Sequence, residues 1–358
     1  MAPRIDSFLR LVADQKASDL HFSAGSVPVI RLDGDLVPLP FRKLSPDEAR
    51  RFLNEIMTPS QRAAFERDQE IDFAHQVAGV GRFRVNIAMQ TRGINAVFRV
   101  IPNQPPTIAE LGLPRTLLRL ANLPNGLVIV SGPTGSGKTT TLAALIHEIN
   151  RSRPLHIITV EDPIEYIHPP LRGLVTQREV GSHTESFAAA LRSALRESPD
   201  VVVVGELRDV DTVLLALSAA ETGVLVFGTL HTNSAAKCID RIIDICPEDV
   251  HAQVRTTLST QLRGVVAQHL LKRASGEGMV AAVELLLPSY ALGHLIRDNK
   301  LHLLDQLIKA NEAEGEGTQS LDAVLCRFVQ QGLVGLDEAI NLSRDPTALR
   351  AAASAAEL

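Results

Sequence analysis

The sequence predicts an α/β protein in which a small α+β module precedes a larger domain built on a parallel sheet. Three observations support this prediction. A short apolar run at residues 127–130 leads into a glycine-rich loop and then into a helical pattern. Three further apolar runs, rich in β-branched residues, alternate with helical sequence after that loop. Residues 1–100 contain paired, alternating strands but no nucleotide motif.

The loop after the first apolar run matches G-x-x-x-x-G-K-[ST], the pattern of a phosphate-binding loop. Its glycines let successive backbone N–H groups turn toward phosphate oxygens, and Lys138 places a positive charge on the β- and γ-phosphates. The Thr139 hydroxyl is a candidate Mg²⁺ ligand. A plain glycine turn is the alternative. The strand, the loop, the Lys-Thr pair and the helix nevertheless follow one another in the order and spacing that a phosphate-binding loop requires. The predicted nucleotide-binding residues are Gly132, Pro133, Thr134, Gly135, Ser136, Gly137, Lys138, Thr139 and Thr140.

Polar residues follow each of the later apolar runs, at 155–160, 201–204 and 224–227. Because ligands of open α/β sheets sit at the carboxyl ends of the strands, we expect Glu165, Glu206 and His231 to converge near the γ-phosphate. A carboxylate there can hold Mg²⁺ or accept a proton from attacking water, and a histidine can stabilise phosphate charge. Taken alone, His231 would more often be a hydrogen-bonded loop histidine. The succession of strand ends beside a phosphate loop favours the functional interpretation.

Two arginines stand out on the predicted strands of the N-terminal module. In the run 82–87, Arg84 alternates with apolar residues, and the returning run 94–100 carries Arg99. A solvated face is the ordinary interpretation of surface arginines. The alternative is that both side chains point at a polyanion, such as a nucleotide bound by a neighbouring subunit.

Prolines predict the domain boundary. The segment 101–114 contains four of them, and proline resists both helix and central strand. We therefore expect a linker at 101–114 between an N-terminal domain at 1–100 and a phosphate-loop domain with C-terminal helices at 115–358.

Bulk properties exclude several classes of protein. The net charge of −5 argues against a protein that coats nucleic acid. No apolar run reaches the length of a membrane span, and the N-terminus has no signal-peptide core. The cysteines (Cys238, Cys246 and Cys326) lie too far apart for a C-x-x-C motif, so a reduced cytoplasmic compartment is expected.

The order of four motifs resembles the secretion-ATPase superfamily. After the phosphate loop, its Walker A motif, come Glu-Asp-Pro-Ile-Glu-Tyr at 161–166, Val-Val-Val-Val-Gly-Glu-Leu-Arg-Asp at 201–209 and Gly-Thr-Leu-His-Thr at 228–232. These match the Asp box, Walker B and His box of that superfamily. The resemblance extends from the N-terminus to about residue 342.

Within the superfamily, the chain is most similar to the type IV pilus retraction branch. Ser-Asp-Leu-His at 18–21 and Gly-Arg-Phe-Arg-Val-Asn at 81–86 sit where that branch has similar strings. Pilus-extension and type II secretion members usually carry a four-cysteine zinc insert before a late strand. Residues 268–277, in that region, contain no cysteine.

This resemblance implies a PAS-like N-terminal domain, a RecA-like ATPase domain and a homo-hexameric ring that uses ATP and Mg²⁺. It implies that Glu165 is the general base, while Thr139 and Glu206 support Mg²⁺. It also implies that His231 contacts the γ-phosphate region, and that Arg84 and Arg99 reach the nucleotide as the ring closes.

The same resemblance implies an ATP-hydrolysing motor for pilus retraction and twitching motility. Such a motor would be cytoplasmic, without membrane insertion, and peripheral to the pilus base in the inner membrane. Its expected partner is a platform protein of that membrane, and a second retraction ATPase is a further candidate. Two alternatives stay open, an accessory retraction ATPase and a non-hydrolysing assembly partner. The acidic balance and the few aromatic residues disfavour a nucleic-acid motor.

Overall fold

The computed structural model describes residues 3–32, 34–102, 104–313, 315 and 317–354. These residues divide into two compact units. The first unit is Met1–Gln104 with the short segment Glu165–Ile167, and the second is Pro105–Ile164 with His168–Leu358. None of the helices in these ranges is both long enough and apolar enough to cross a bilayer.

The first unit is a mixed α+β module around one antiparallel sheet. Its elements in chain order are α1 (Asp6–Asp14), β1 (Asp19–Ser23), β2 (Val29–Leu32), β3 (Asp35–Pro38), α2 (Pro46–Asn54), α3 (Pro59–Asp68), β4 (Glu70–Val77), β5 (Gly81–Gln90) and β6 (Gly93–Ile101). The strands lie in the order β3–β2–β1–β6–β5–β4, and every neighbouring pair is antiparallel.

The predicted alternation of side chains on β5 is confirmed. Phe83, Val85 and Ile87 are buried in the core of the first unit, while Arg84 on the opposite face is exposed. Period-two alternation arises because successive side chains of a strand point to opposite faces of the sheet. One face of the sheet is therefore packed, and the other presents the arginines. The sequence Asp33-Gly34-Asp35 between two apolar runs predicts a hairpin turn. Asp33 lies outside the described residues, but β2 and β3 on either side of it are paired.

The second unit is larger and alternates strands with helices. Its elements are α4 (Leu117–Ala121), β7 (Gly126–Ser131), α5 (Lys138–Ser152), β8 (His156–Glu161), β9 (Leu174–Glu179), α6 (Phe187–Ala194), β10 (Val201–Val204), α7 (Val210–Glu221), β11 (Leu225–Leu230), α8 (Ala235–Ile245), α9 (His251–Gln261), β12 (Leu262–Lys272), β13 (Met279–Leu286), α10 (Tyr290–Arg297), α11 (Leu304–Ala313), α12 (Leu321–Gln330), α13 (Leu336–Leu342) and α14 (Pro346–Ser354). Short 3₁₀ turns lie at Glu248–Val250 and Leu301–Leu303.

The sheet of the second unit has the order β13–β12–β7–β11–β10–β8–β9. All neighbouring pairs are parallel except β12 with β13, which are antiparallel at one edge. The predicted apolar runs form β7, β8, β10 and β11. Strands β9 and β12 were not predicted, because polar residues interrupt both and β12 starts directly after α9 without a turn signal.

Both faces of this sheet are covered, as in a doubly wound fold. Val202 and Val204 of β10 pack in one hydrophobic cluster with residues of α6, α7 and α8, whereas Val201 and Val203 pack in a second cluster with residues of α5. Strands buried on both faces read as continuous apolar runs, which is why β10 is a plain Val-Val-Val-Val. The carboxyl ends of β7, β10 and β11 therefore open on one edge of a rigid layer.

The proline-rich segment 101–114 begins where β6 ends. Ile108 and Leu113 are buried in the core of the second unit, so the later part of this segment packs with that unit. The side chain of Glu110 accepts the N–H and the hydroxyl of Thr107 at 2.7 and 2.8 Å, which holds the turn between them.

A buried carboxylate connects α8 to the C-terminal helices. Glu284 on β13 is almost completely buried, and its Oε1 accepts the N–H of Ala235 at the start of α8 at 2.6 Å. Its Oε2 lies 2.7 Å from Nη2 of Arg344, which also pairs with Asp305 at 3.2 Å. A buried charge is tolerated only when it is paired and hydrogen-bonded, so this network fixes the start of α8.

We predict that Arg344→Met lowers the free energy of unfolding by about 2 kcal/mol, because it leaves the Glu284 carboxylate buried without its ion-pair partner. In the Glu284→Gln background the same substitution should cost clearly less, since no buried charge is then left uncompensated. Urea denaturation of the four proteins in this double-mutant cycle measures the difference. Equal losses in both backgrounds would show that the pair carries no coupling energy.

Candidate active site

The phosphate loop connects β7 to α5 and has the curled backbone that its glycines predict. Gly132 and Gly137 have φ of +145° and +83°, where a residue with a Cβ is strained. A Cβ on Gly132 would collide with the carbonyl oxygen of Gln268, and one on Gly137 would lie 2.8 Å from Gln268 Nε2. Gly132 therefore requires glycine for lack of space as well as for conformation, whereas at Gly137 the conformation is the stronger requirement.

Lys138 is the first residue of α5, and its buried side chain turns back over the loop. Nζ donates to the carbonyl oxygens of Gly132 at 2.9 Å and Pro133 at 3.0 Å. The ammonium is thus held over the loop, at the N-terminus of a helix of 15 residues. Helix N-termini attract anions through their free N–H groups and their dipole, so this end of α5 suits a phosphate.

The other loop residues fall into three positions. Thr139 and Thr140 lie half-buried on the first turn of α5, where a hydroxyl can reach a cation beside the phosphates. Ser136 is buried. The tip of the loop is exposed (Pro133, Thr134 and Gly135). Backbone amides, one ammonium and hydroxyls together form a donor set that fits a nucleotide polyphosphate with Mg²⁺.

Gln268 on β12 belongs to this site, although the sequence analysis did not identify it. Its Nε2 donates to the carbonyl oxygen of Ser136 at 2.6 Å, and its Oε1 accepts from Thr141 Oγ1 at 2.6 Å. The available signal was a polar residue inside an apolar stretch, which is often a buried hydrogen-bonding position. That signal is weak without knowing that β12 lies beside β7.

A second group of polar side chains links the end of β7 to the loop after β11. Cys238 Sγ donates to Ser131 Oγ at 3.0 Å and lies 2.9 Å from Thr232 Oγ1. Burial raises the pKa of the Cys238 thiol to about 11, so the thiol stays protonated and remains a donor at neutral pH. The residue before the phosphate loop is thereby connected to the residue after His231.

The structure brings Glu206 and His231 together. Glu206 Oε1 lies 3.6 Å from His231 Nε2, at the ends of the adjacent strands β10 and β11. Two hydrogen bonds connect the end of β11 to the segment that follows β10. Leu207 N–H donates to the Thr229 carbonyl at 3.0 Å, and Thr229 Oγ1 donates to the Gly205 carbonyl. Both side chains are partly exposed, so a ligand can reach them.

The Asp-box residues divide between the two units. Glu161 ends β8, and its Oε1 accepts from Thr159 Oγ1 at 2.6 Å and from Gln177 Nε2 at 3.1 Å. Glu165 is exposed and lies in the short segment that groups with the first unit. Its convergence with Glu206 and His231 stays a prediction.

The two arginines of the first unit face each other directly across β5 and β6. Arg84 Nε lies 3.8 Å from Asp72, and Arg99 Nε donates to Asp19 at 2.9 Å. Burial alone would raise the pKa of Asp19, but the hydrogen bonds from Ser18 and Arg99 lower it below its ordinary value. Asp19 therefore remains a carboxylate that anchors Arg99.

This arginine face forms a shallow groove of about 310 Å³, which Asn86 and Val97 also line. Like charges directly opposite each other destabilise a sheet, and the carboxylates of Asp72 and Asp19 offset part of that cost. Arg84 and Arg99 are 44% and 68% exposed, which leaves both guanidinium groups accessible to a further anion.

The chain is similar to known proteins over nearly its whole length. A family model described as Type II/IV secretion system protein matches residues 1–346. The type IV pilus retraction ATPase PilT of Pseudomonas aeruginosa is 47% identical over 343 residues, which cover 96% of this chain and 98% of PilT. The type IV pilus ATPase PilU of the same organism is 40% identical over 335 residues, covering 94% of this chain and 87% of PilU.

The fold agrees with a solved structure. A crystal structure described as the pilus retraction motor PilT with bound ADP is similar at a TM-score of 0.90 with 43% identity. The match covers 98% of this chain and 100% of that one. The predicted fold class, an N-terminal PAS-like α+β domain followed by a RecA-like phosphate-loop domain, is confirmed.

We predict that Lys138→Ala weakens the binding of ADP by about 2 kcal/mol, or about thirtyfold in Kd, because it removes a charge-assisted bond to phosphate. Isothermal titration calorimetry measures the affinity. Lys309→Ala removes an exposed lysine on α11 and is the matched control, which should bind ADP as the wild type does. Unchanged affinity in Lys138→Ala would contradict the assignment of the loop.

Proposed function

We propose that this chain, which belongs to the Type II/IV secretion system protein family and is a P-loop ATPase, is the ring motor of type IV pilus retraction. The observation that carries the proposal is the phosphate loop with Lys138 over it, in a chain that is similar to PilT over nearly its whole length. Glu206 and His231, paired at neighbouring strand ends, add the groups that hydrolysis needs.

The proposed roles follow from the chemistry of each side chain. Lys138 neutralises charge on the β- and γ-phosphates, and the loop amides orient them. Glu165 accepts the proton of the attacking water as general base. His231 donates to an oxygen of the γ-phosphate region, and Glu206, 3.6 Å away, orients its ring and the nearby water.

ATP and Mg²⁺ are the proposed cofactors. Mg²⁺ held at this site would supply positive charge that stabilises the phosphates during hydrolysis. It usually keeps several waters and takes only one or two protein ligands, so Thr139 and Glu206 provide a sufficient donor set.

The site is proposed to be completed between subunits of a homo-hexamer. The first unit carries Arg84 and Arg99 but no phosphate loop, and the second carries the phosphate loop. An arginine supplied by a neighbouring subunit would stabilise charge on the phosphates and make hydrolysis depend on assembly. Movement of the arginine-bearing unit about the proline-rich segment would then convert each nucleotide cycle into motion.

The proposed setting is the cytoplasmic side of the inner membrane at the pilus base. A platform protein of that membrane is the proposed partner, and a second retraction ATPase of the PilU kind is a further one. The 40% identity to PilU keeps an accessory role as the second candidate function. A non-hydrolysing assembly partner would also bind ATP, and measured turnover separates it from the motor.

We predict that ATPase turnover per subunit rises with protein concentration as rings assemble, and that Glu206→Ala lowers kcat by about a hundredfold or more. Steady-state hydrolysis measured across a concentration series, with the assembly state followed by light scattering, tests both expectations. Glu277→Ala, which removes an exposed carboxylate in the turn between β12 and β13, is the control and should retain full turnover. Absence of turnover in assembled wild-type rings would favour the non-hydrolysing partner.

We predict that Arg84→Ala lowers turnover while the first unit keeps or gains stability, because the substitution removes one of two like charges that face each other. Mixing Arg84→Ala with Lys138→Ala subunits should restore part of the activity. In mixed rings, Arg84 of the Lys138→Ala subunit can meet the intact phosphate loop of its neighbour.

The matched control for the mixing experiment is Glu206→Ala with Lys138→Ala. Both of these substitutions damage the phosphate-loop side of the site, so no interface between the two variants is intact. Recovery in the arginine mixture alone supports action in trans. No recovery in either mixture, in rings shown to contain both variants, would place the action of Arg84 within its own subunit.

A further inference from the structure

Gln268 makes two hydrogen bonds that have no role in the mechanism proposed above. It lies on β12, is 2% exposed, and bridges the phosphate loop to α5. Nε2 donates to the carbonyl oxygen of Ser136 at 2.6 Å, and Oε1 accepts from Thr141 Oγ1 at 2.6 Å. The Ser136 carbonyl fixes which end of the amide faces the loop: a carbonyl oxygen only accepts, so it needs Nε2, and this leaves Oε1 to accept from the Thr141 hydroxyl.

The bond to Ser136 determines the direction of a loop amide. The Ser136–Gly137 peptide is planar, so its C=O and its N–H point to opposite sides. Holding the Ser136 carbonyl toward β12 therefore turns the N–H of Gly137 away from β12. In a phosphate loop, such outward-turned N–H groups are the donors that contact phosphate.

The surrounding space allows little freedom for this peptide. Gly137 has φ of +83°, and a Cβ there would come within 2.8 Å of Gln268 Nε2. At the start of the loop, a Cβ on Gly132 would collide with the backbone carbonyl of Gln268. One residue of β12 thus contacts the loop through both its main chain and its side chain.

The next residue of β12 supports the other half of the site. His269 Nε2 lies 3.1 Å from the carbonyl oxygen of Asn233, in the loop between β11 and α8 that begins with His231. Since successive residues of a strand point to opposite faces, residues 268 and 269 reach the phosphate loop and this second loop separately.

We propose that Gln268 is a positioning residue, which holds the Ser136–Gly137 peptide in the orientation that binds phosphate. The role deepens the proposed function and rests on it. It requires a side chain with a donor and an acceptor at a fixed separation, which glutamine supplies. Glutamate is nearly the same size but would put a carboxylate oxygen against the Ser136 carbonyl, and leucine would leave that carbonyl and the Thr141 hydroxyl unpaired.

The test compares nucleotide affinity with thermal stability in Gln268→Glu. Wild-type protein is first shown to bind ADP by calorimetry and to hydrolyse ATP, which tests the proposed function separately. In Gln268→Glu the Kd for ADP and the KM for ATP should rise about tenfold or more, the equivalent of one lost hydrogen bond and a repulsive contact. The melting temperature should fall as well, because the new carboxylate is buried without a partner, but kcat at saturating ATP should fall less than KM rises.

Gln319→Glu is the matched control. Gln319 Nε2 also donates to a backbone carbonyl, that of Val283 on β13 at 2.7 Å, but Gln319 bridges to the side of β13 opposite to β12. This variant should lose no affinity for ADP. If both variants lose affinity equally, the effect is a general one on the fold and the inference is overturned.

A second pair of variants keeps the test decisive if Gln268→Glu does not fold. Thr141→Val removes the hydroxyl that donates to Gln268 Oε1 and should raise the Kd for ADP about threefold, whereas Thr141→Ser keeps the bond and should retain wild-type affinity. Unchanged ADP affinity in folded Gln268→Glu, or in Thr141→Val when the glutamate variant does not fold, would overturn the inference while leaving the proposed function intact. Failure of the wild type to bind ADP would overturn both.

Discussion

The tight turn from β7 into α5 is the constraint on which the rest of the second unit depends. Its backbone has to expose N–H groups to a phosphate, and this requires left-handed conformations at Gly132 and Gly137. Such a backbone is poorly stabilised by its own residues. It is supported from inside by Lys138, which bonds two loop carbonyls, and from β12 by Gln268. In the strand order β12 lies directly beside β7, which brings Gln268 to the loop.

The same edge of the sheet holds Glu206 and His231, which are proposed to act on a bound phosphate. Glu206 and His231 end adjacent parallel strands, so their separation of 3.6 Å follows from sheet geometry more than from their loops. The buried thiol of Cys238 links Ser131 to Thr232, and Glu284 anchors the start of α8. Each support attaches a loop that faces the site to a rigid element behind it, which is how a preorganised site is built.

The first unit contributes charge in place of a phosphate loop. Arg84 and Arg99 stand opposite each other on exposed strands, a placement that is unfavourable for the isolated sheet. Asp72 and Asp19 offset part of the cost, and they leave both guanidinium groups accessible. The proposed action of these arginines on a nucleotide of a neighbouring subunit would supply a further anion for them.

Spacing and periodicity among neighbouring residues were enough to predict the phosphate loop, the strands β7, β8, β10 and β11, and the arginine-bearing β5. They did not reveal β9 or β12, whose polar residues break the apolar pattern. Only the tertiary structure placed Gln268 against Ser136, and Cys238 against Ser131. These pairs are far apart in the chain, and their contact depends on which strands lie side by side, a property of the sheet order that no local pattern contains.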